Sequence, residues 1–214
     1  MSGRLDKLEV GALSSQQQAL YAELTGGPRS QGRQSFSLTD EAGRLEGPFN
    51  AMLLSPRLGG ALQALGAEVR YSTSFGGRAR ELAILAVGYA WRSGFEIYAH
   101  ERVARSAGLT DADLAAVREG RFGDLDDPGE RLVARLAHAL ASRSDLADDE
   151  YQAGREALGD EGLFELTTLV GYYATLALQL RVFRVPVPGE HDQALDNEQA
   201  QDEDQEVLKL TFPE

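Results

Sequence analysis

Apolar residues recur at intervals of three and four along most of this chain, the spacing that gathers them on one side of an α-helix. The first such run covers residues 14–24, where Leu20 and Leu24 share a face and Ser14 or Ser15 can cap the start. Thr25-Gly26-Gly27-Pro28 stops it, and Arg29 to Gln34 reads as a polar loop. Ser35 to Gly47 loses the helical rhythm and reads as irregular or hairpin-like, with a turn near Asp40 to Gly43.

From Ser55-Pro56 onward helical spacing dominates. Ser at N-cap with Pro at the first helical position predicts a start there. Leu58, Leu62, Leu65 and Val69 share a face of it. Gly76-Gly77 separates it from a helix over Arg78 to Trp91, with Leu82, Leu85 and Tyr89 in register. Ser93-Gly94 breaks again, and Phe95 to Ala107 forms the next helix, stopped by Gly108. Thr110-Asp111-Ala112-Asp113 and Asp127-Pro128 open two more. Asp148 to Leu158 and Glu161 to Phe183 complete the series, and Pro186 and Pro188 end it. The pattern predicts an all-α bundle in three parts: 1–44, an N-terminal helix and extension; 45–188, the helical domain; 189–214, a C-terminal tail.

Charge sharpens that division. The chain carries a net charge of -13. Residues 189–214 hold nine acids against one lysine, while the remaining 25 acids and 20 bases nearly balance. The tail reads as solvated, although Val207 to Phe212 is apolar enough to dock on this subunit or a neighbour. So acidic a chain is not expected to bind nucleic acid or anionic lipid. Met1 to Val10 lacks a signal-peptide core, and no apolar run reaches the ~20 residues of a membrane span. Among 214 residues there is no cysteine, which fits a reducing cytoplasm and excludes thiolate chemistry and Cys-based metal sites.

Candidate chemistry concentrates between Phe75 and Gly108. Glu81 lies on an apolar helix, where burial would tune its carboxyl for proton exchange, unless it only pairs with Arg78 or Arg80. Glu96 and His100 are four apart and face one side of the next helix, so a carboxylate can orient the imidazole. Ser93-Gly94-Phe95-Glu96 also has the form of a capping box, which would make Glu96 a helix cap. One imidazole and two carboxylates can hold a metal as well, but no metal is expected here. Phe49, Tyr89, Trp91, Phe95, Tyr98, Tyr172 and Tyr173 can line a pocket or simply fill a core. His138 reads as a surface residue beside Arg131 and Arg135, and His191 lies in the tail. There is no phosphate-binding glycine loop and no nucleophile elbow.

The pattern Arg80-Glu81-Leu82, an apolar helix, Glu96-x-x-x-His100, then Ala107-Gly108-Leu109-Thr110 resembles the carboxymuconolactone decarboxylase superfamily, which includes the AhpD-like peroxidases. Gly47 to Leu53 and the helix with Glu165, Leu166, Gly171 and Tyr172 extend the likeness to about residues 45–186. The resemblance implies that Glu81 and His100 are the catalytic Glu and His. It places Ser93 and Glu96 where the peroxidase branch has its two cysteines, and a serine cannot reduce a peroxide by the thiolate route.

What the resemblance implies is therefore a cofactor-free decarboxylase of a small carboxylated lactone or related carbonyl compound. His100, Glu81 and Glu96 would be catalytic, and Phe49, Tyr89, Arg92 and Tyr172 would contact substrate. Arg78, Arg80 or Arg92 can grip a carboxylate. It further implies assembly as a homotrimer or hexamer, with Leu163 to Leu180 buried between subunits. A non-catalytic small-molecule-binding or assembly protein, or an isomerase or hydratase working by proton transfer, fits the same residues.

Overall fold

The computed structural model describes residues 3–27 and 37–188. Among the described residues the chain forms eight α-helices and no strand. They are α1 (Ser15–Gly26), α2 (Pro48–Met52), α3 (Pro56–Tyr71), α4 (Gly77–Trp91), α5 (Gly94–Ser106), α6 (Asp111–Arg118), α7 (Pro128–Arg143) and α8 (Asp148–Val182). The expected polar loop at 29–34, the start of the irregular segment, the acidic tail and His191 lie outside the described residues.

Helix α4 is the axis. Every residue from Glu81 to Gly88 is buried, so the helix is covered all round instead of along one stripe. Helices α5, α6, α7 and α8 pack around it. Leu82, Ile84 and Leu85 are at most 1% exposed, each contributing roughly 2 kcal/mol of burial free energy.

Several helix starts follow the sequence. Ser14 and Gln17 form a reciprocal capping box on α1. Thr110 and Asp113 do the same on α6. Asp127 accepts from the Glu130 N–H at 2.9 Å on α7. Each cap contributes about 1 kcal/mol. The segment before α2 has the expected hairpin character, with an antiparallel bridge between Thr39 and Leu45 and a turn closed from Gly43 N–H to the Asp40 carbonyl at 2.9 Å.

On α3 the face that carries the leucines is only partly buried: Leu58 is 68% and Leu65 41% exposed, while Leu62 packs against the core and Val69 is buried. The buried face is Gly59, Gln63, Gly66 and Val69. Small residues win because the backbone of α2 lies directly on α3; a Cβ on Gly59 would collide with the Met52 carbonyl. The two helices expected at 148–158 and 161–183 are both present within α8: Gly159, with a non-helical φ of 71° that suits glycine, breaks Asp148–Val182 between them.

Most of the apolar content of α8 is used within the chain. Leu163, Leu166, Leu169, Val170, Leu176 and Leu180 are all buried, and Phe164, Leu178 and Val182 remain exposed. The N-terminal segment straps across the bundle. The Arg4 N–H donates to the Phe183 carbonyl at 2.8 Å, and the buried Asn50 holds Leu8 N–H and the Asp6 carbonyl. Lys7 pairs with Asp40 and Glu46 at 3.1 and 2.5 Å.

Candidate active site

The site is made by a tight reversal between α4 and α5. Arg92 adopts the left-handed conformation that caps α4, and the Ser93 N–H returns to the Gly88 carbonyl at 2.9 Å. Helix α5 then runs back along α4, with Ile97 and the Cβ of Glu96 within 3.7 Å of where a Gly88 side chain would begin. Gly47 helps seat the start of α5: its φ is 60°, and any side chain there would strike the Phe95 ring.

This antiparallel pairing brings Glu81 and His100 together. Glu81 Oε2 lies 2.7 Å from His100 Nδ1, with Glu81 fully buried and His100 8% exposed. Burial alone would raise the Glu81 pKa, but His100, Arg70 and Arg80 outweigh it and hold the carboxyl below its ordinary value. An ionised carboxylate only accepts, so the His100 Nδ1–H donates and Nε2 is left as the working nitrogen.

The other Glu81 oxygen faces two arginines. Arg70 from α3 and Arg80 from α4 stand 3.8 and 3.9 Å from Oε1, both beyond hydrogen-bond distance. Oε1 and Arg80 Nε are buried without a hydrogen-bond partner. Burial would lower the Arg70 pKa, yet Tyr173 and Glu81 raise it. The Tyr173 ring meets His100 edge-on at 5.1 Å, and Tyr172 meets Tyr173 in the same way at 5.1 Å. Helices α3, α4, α5 and α8 therefore each supply part of the site.

Glu96 stands apart from the Glu81–His100 pair: it makes no hydrogen bond to either, and its two oxygens are buried without a well-formed hydrogen bond. Nor does it cap α5, because Ser93 forms no side-chain cap bond. The Ser93 N–H that a reciprocal box would need is already taken by Gly88. Burial pushes the Glu96 pKa up to about 8, with the Ser93 hydroxyl pulling the other way. No group of three His, Asp or Glu among the described residues is arranged to hold a metal, and Glu81, Glu96 and His100 form no such group.

The expected substrate contacts are dispersed. Tyr89 donates to Glu101 at 2.6 Å, in a network with Arg118 and Arg105. Arg92 is exposed at the end of α4. Phe49 is packed in the main core and Tyr172 beside Tyr173. Arg78 is committed to Glu130, Asp113 and the Gly108 carbonyl. Sequence reasoning missed Arg70. Its signal was the spacing Gln63, Gly66, Arg70, which continues the small-residue face of α3 rather than the leucine face.

Residues 56–139 match the carboxymuconolactone decarboxylase family. The family segment contains Arg70, Arg80, Glu81, Ser93, Glu96 and His100, while Tyr173 lies beyond it. No curated protein matches the chain. Solved structures share its fold. The AhpD-core, peroxidase-related protein of Ralstonia eutropha JMP134 is 15% identical with a TM-score of 0.69, covering 88% of this chain and 93% of its own. A peroxidase-related protein from Silicibacter sp. TM1040 is 12% identical with a TM-score of 0.68 over the same shares. An Agrobacterium tumefaciens protein of unknown function, described as a candidate AhpD antioxidant-defence protein, is 21% identical with a TM-score of 0.57, covering 65% of this chain and 96% of its own. No helix among the described residues is long and apolar enough to cross a membrane.

Proposed function

We propose that the chain is a cofactor-free proton-transfer enzyme of the carboxymuconolactone decarboxylase type, acting on a small carboxylated lactone or related carbonyl compound. The observation that carries this reading is the buried 2.7 Å bond between Glu81 and His100. It fixes one tautomer of the imidazole and leaves Nε2 to exchange a proton with a bound substrate. Loss of CO2 from such a substrate leaves a carbanion delocalised into its carbonyl, so the substrate serves as its own electron sink. The enzyme then needs to stabilise the charge and deliver one proton.

Arg70 and Arg80 against the single Glu81 carboxylate leave one unit of positive charge at the site. That charge suits an anionic group on the substrate. Clamping the departing carboxylate would stabilise the ground state more than the transition state. The arginines are therefore assigned to a carboxylate that stays, or to the developing enolate. Tyr172 and Tyr173 form an aromatic wall. Tyr89 and Arg92 are left out, since one is bound to Glu101 and the other sits at the exposed end of α4.

Thiol peroxidase chemistry is unavailable to a chain with no cysteine, which also suits a cytoplasmic setting. Exposed Leu54, Leu58, Leu65, Phe164, Leu178 and Val182 support self-association. The test is CO2 release from a panel of carboxylated lactones by the purified protein and by His100→Gln and Glu81→Gln variants. Turnover by the wild type, lost in both folded variants, is expected. A folded His100→Gln variant at the wild-type rate overturns the reading.

A further inference from the structure

Glu96 is only 4% exposed and Ser93 only 1%; the Ser93 hydroxyl is near enough to lower the Glu96 pKa, yet no well-formed hydrogen bond reaches Glu96 Oε1, Oε2 or Ser93 Oγ. Native interiors satisfy nearly all such atoms, and each orphan costs about 1–3 kcal/mol. Three orphans on two residues within one helical turn are a liability unless something else fills them. Local structure supplies little else: the capping bond is absent, the Ser93 N–H is taken, and among the described residues no arginine or lysine pairs with Glu96, so the two side chains have only each other.

Their position is informative. Glu96 and His100 share a face of α5, one turn apart. The two groups are also chemically matched. A serine hydroxyl donates and accepts, and a carboxyl kept protonated by burial does the same. Such a pair brings no net charge to offset an anion, unlike the Arg70–Arg80 end of the site. It fits a neutral oxygen that gains charge during reaction, and the N-terminus of α5 favours that charge as it develops.

We propose that Ser93 and Glu96 form a neutral hydrogen-bonding subsite that holds the carbonyl oxygen of the substrate beside His100. This rests on the reading of His100 as the proton-transfer group. The substrate class follows: a molecule with a carboxylate for the arginines and a separate ketone or lactone carbonyl for Ser93 and Glu96. In decarboxylation the C–C bond to the departing carboxylate breaks, CO2 leaves, and the electron pair moves through the conjugated system onto the carbonyl oxygen. The Glu96 O–H and the Ser93 O–H donate hydrogen bonds to that oxygen. His100 takes a proton from water on Nε2 and passes it to the carbon, the carbonyl re-forms, Glu96 retains its own proton, and the hydroxide left by the water combines with the released CO2 as bicarbonate.

The test uses two anions of the same chain length, pentanoate and 4-oxopentanoate, with affinities measured by NMR titration of the full-length protein. The expected result is that 4-oxopentanoate binds roughly tenfold more tightly, the effect of about one net buried hydrogen bond. Glu96→Gln, still neutral and hydrogen-bonding, should keep that preference; Glu96→Leu and Ser93→Ala should lose it while pentanoate affinity holds. Should Glu96→Leu not fold, Ser93→Ala decides alone. Equal affinities in the wild type, or a preference that survives both Ser93→Ala and Glu96→Leu, overturn the subsite and leave the Glu81–His100 reading standing. No binding of either acid overturns the anion-binding half of the proposed function as well.

Discussion

Glu81 and Glu96, one bonded to His100 and the other a helical turn before it, are pushed to opposite states of protonation. Glu81 is bonded to the imidazole at 2.7 Å and held ionised by two arginines, while Glu96, one turn earlier on α5, is held neutral by burial up to a pKa of about 8. Two carboxyls on adjacent helices are thus pushed to opposite charge states by their surroundings.

That division has a consequence for stability against pH. The folded-state pKa of Glu96 is raised from 4.5 to about 8, so the folded protein binds the extra proton in that interval. Its contribution is fully present below pH 4.5 and is lost as pH rises through 8, a loss of at most roughly 4–5 kcal/mol. Glu81 is lowered, so its contribution is present above pH 4.5 and is lost on acidification. Urea denaturation from pH 4 to 9 should show stability falling on the alkaline side. Glu96→Gln should flatten that limb alone; an unchanged slope in the variant contradicts the assignment.

The dyad should also behave as one energetic unit. Removing one partner of a buried, hydrogen-bonded pair typically costs about 3–5 kcal/mol. Glu81→Ala should lie at the upper end, because it also leaves Arg70 and Arg80 without their shared counter-charge. A double-mutant cycle with Glu81→Gln and His100→Gln should give a coupling of about 0.5–3 kcal/mol. Additive losses in denaturant midpoint would mean that the two side chains do not interact.

Two glycines should respond in opposite directions to alanine. Gly59→Ala drives a methyl group into the Met52 carbonyl and should destabilise by about 1–3 kcal/mol. Gly171, in the middle of α8, has open space where its side chain would begin. Gly171→Ala should gain about 0.5–1 kcal/mol from helix propensity. Thermal melts of the two variants check the contrast, and two shifts of the same sign would contradict it.

The helices were legible in the sequence because they depend on local spacing, whereas Glu81 was joined to His100 by the family resemblance. Caps at Ser14, Thr110 and Asp127 are short-range chemistry. The distance between Glu81 and His100 follows from two helices and a tight turn between them. Legibility failed where partners come from distant segments. Which face of α3 is buried depends on the approach of α2, and a leucine count cannot reveal that a backbone carbonyl occupies the groove. Arg70 enters the site for the same reason. Of the two roles left open for Glu96, the helix cap is not formed, because the Ser93 N–H it required is used by the preceding helix.

The N-terminal strap has one more consequence. Arg4 binds the end of α8 through its backbone and through its guanidinium, which reaches the Val182 carbonyl at 3.2 Å across 178 residues. The folded body is thus a closed ring whose first and last turns meet. A contact of that span carries a large loop-closure cost, growing with the logarithm of its length. A permutant that joined these ends covalently would begin with that cost already met.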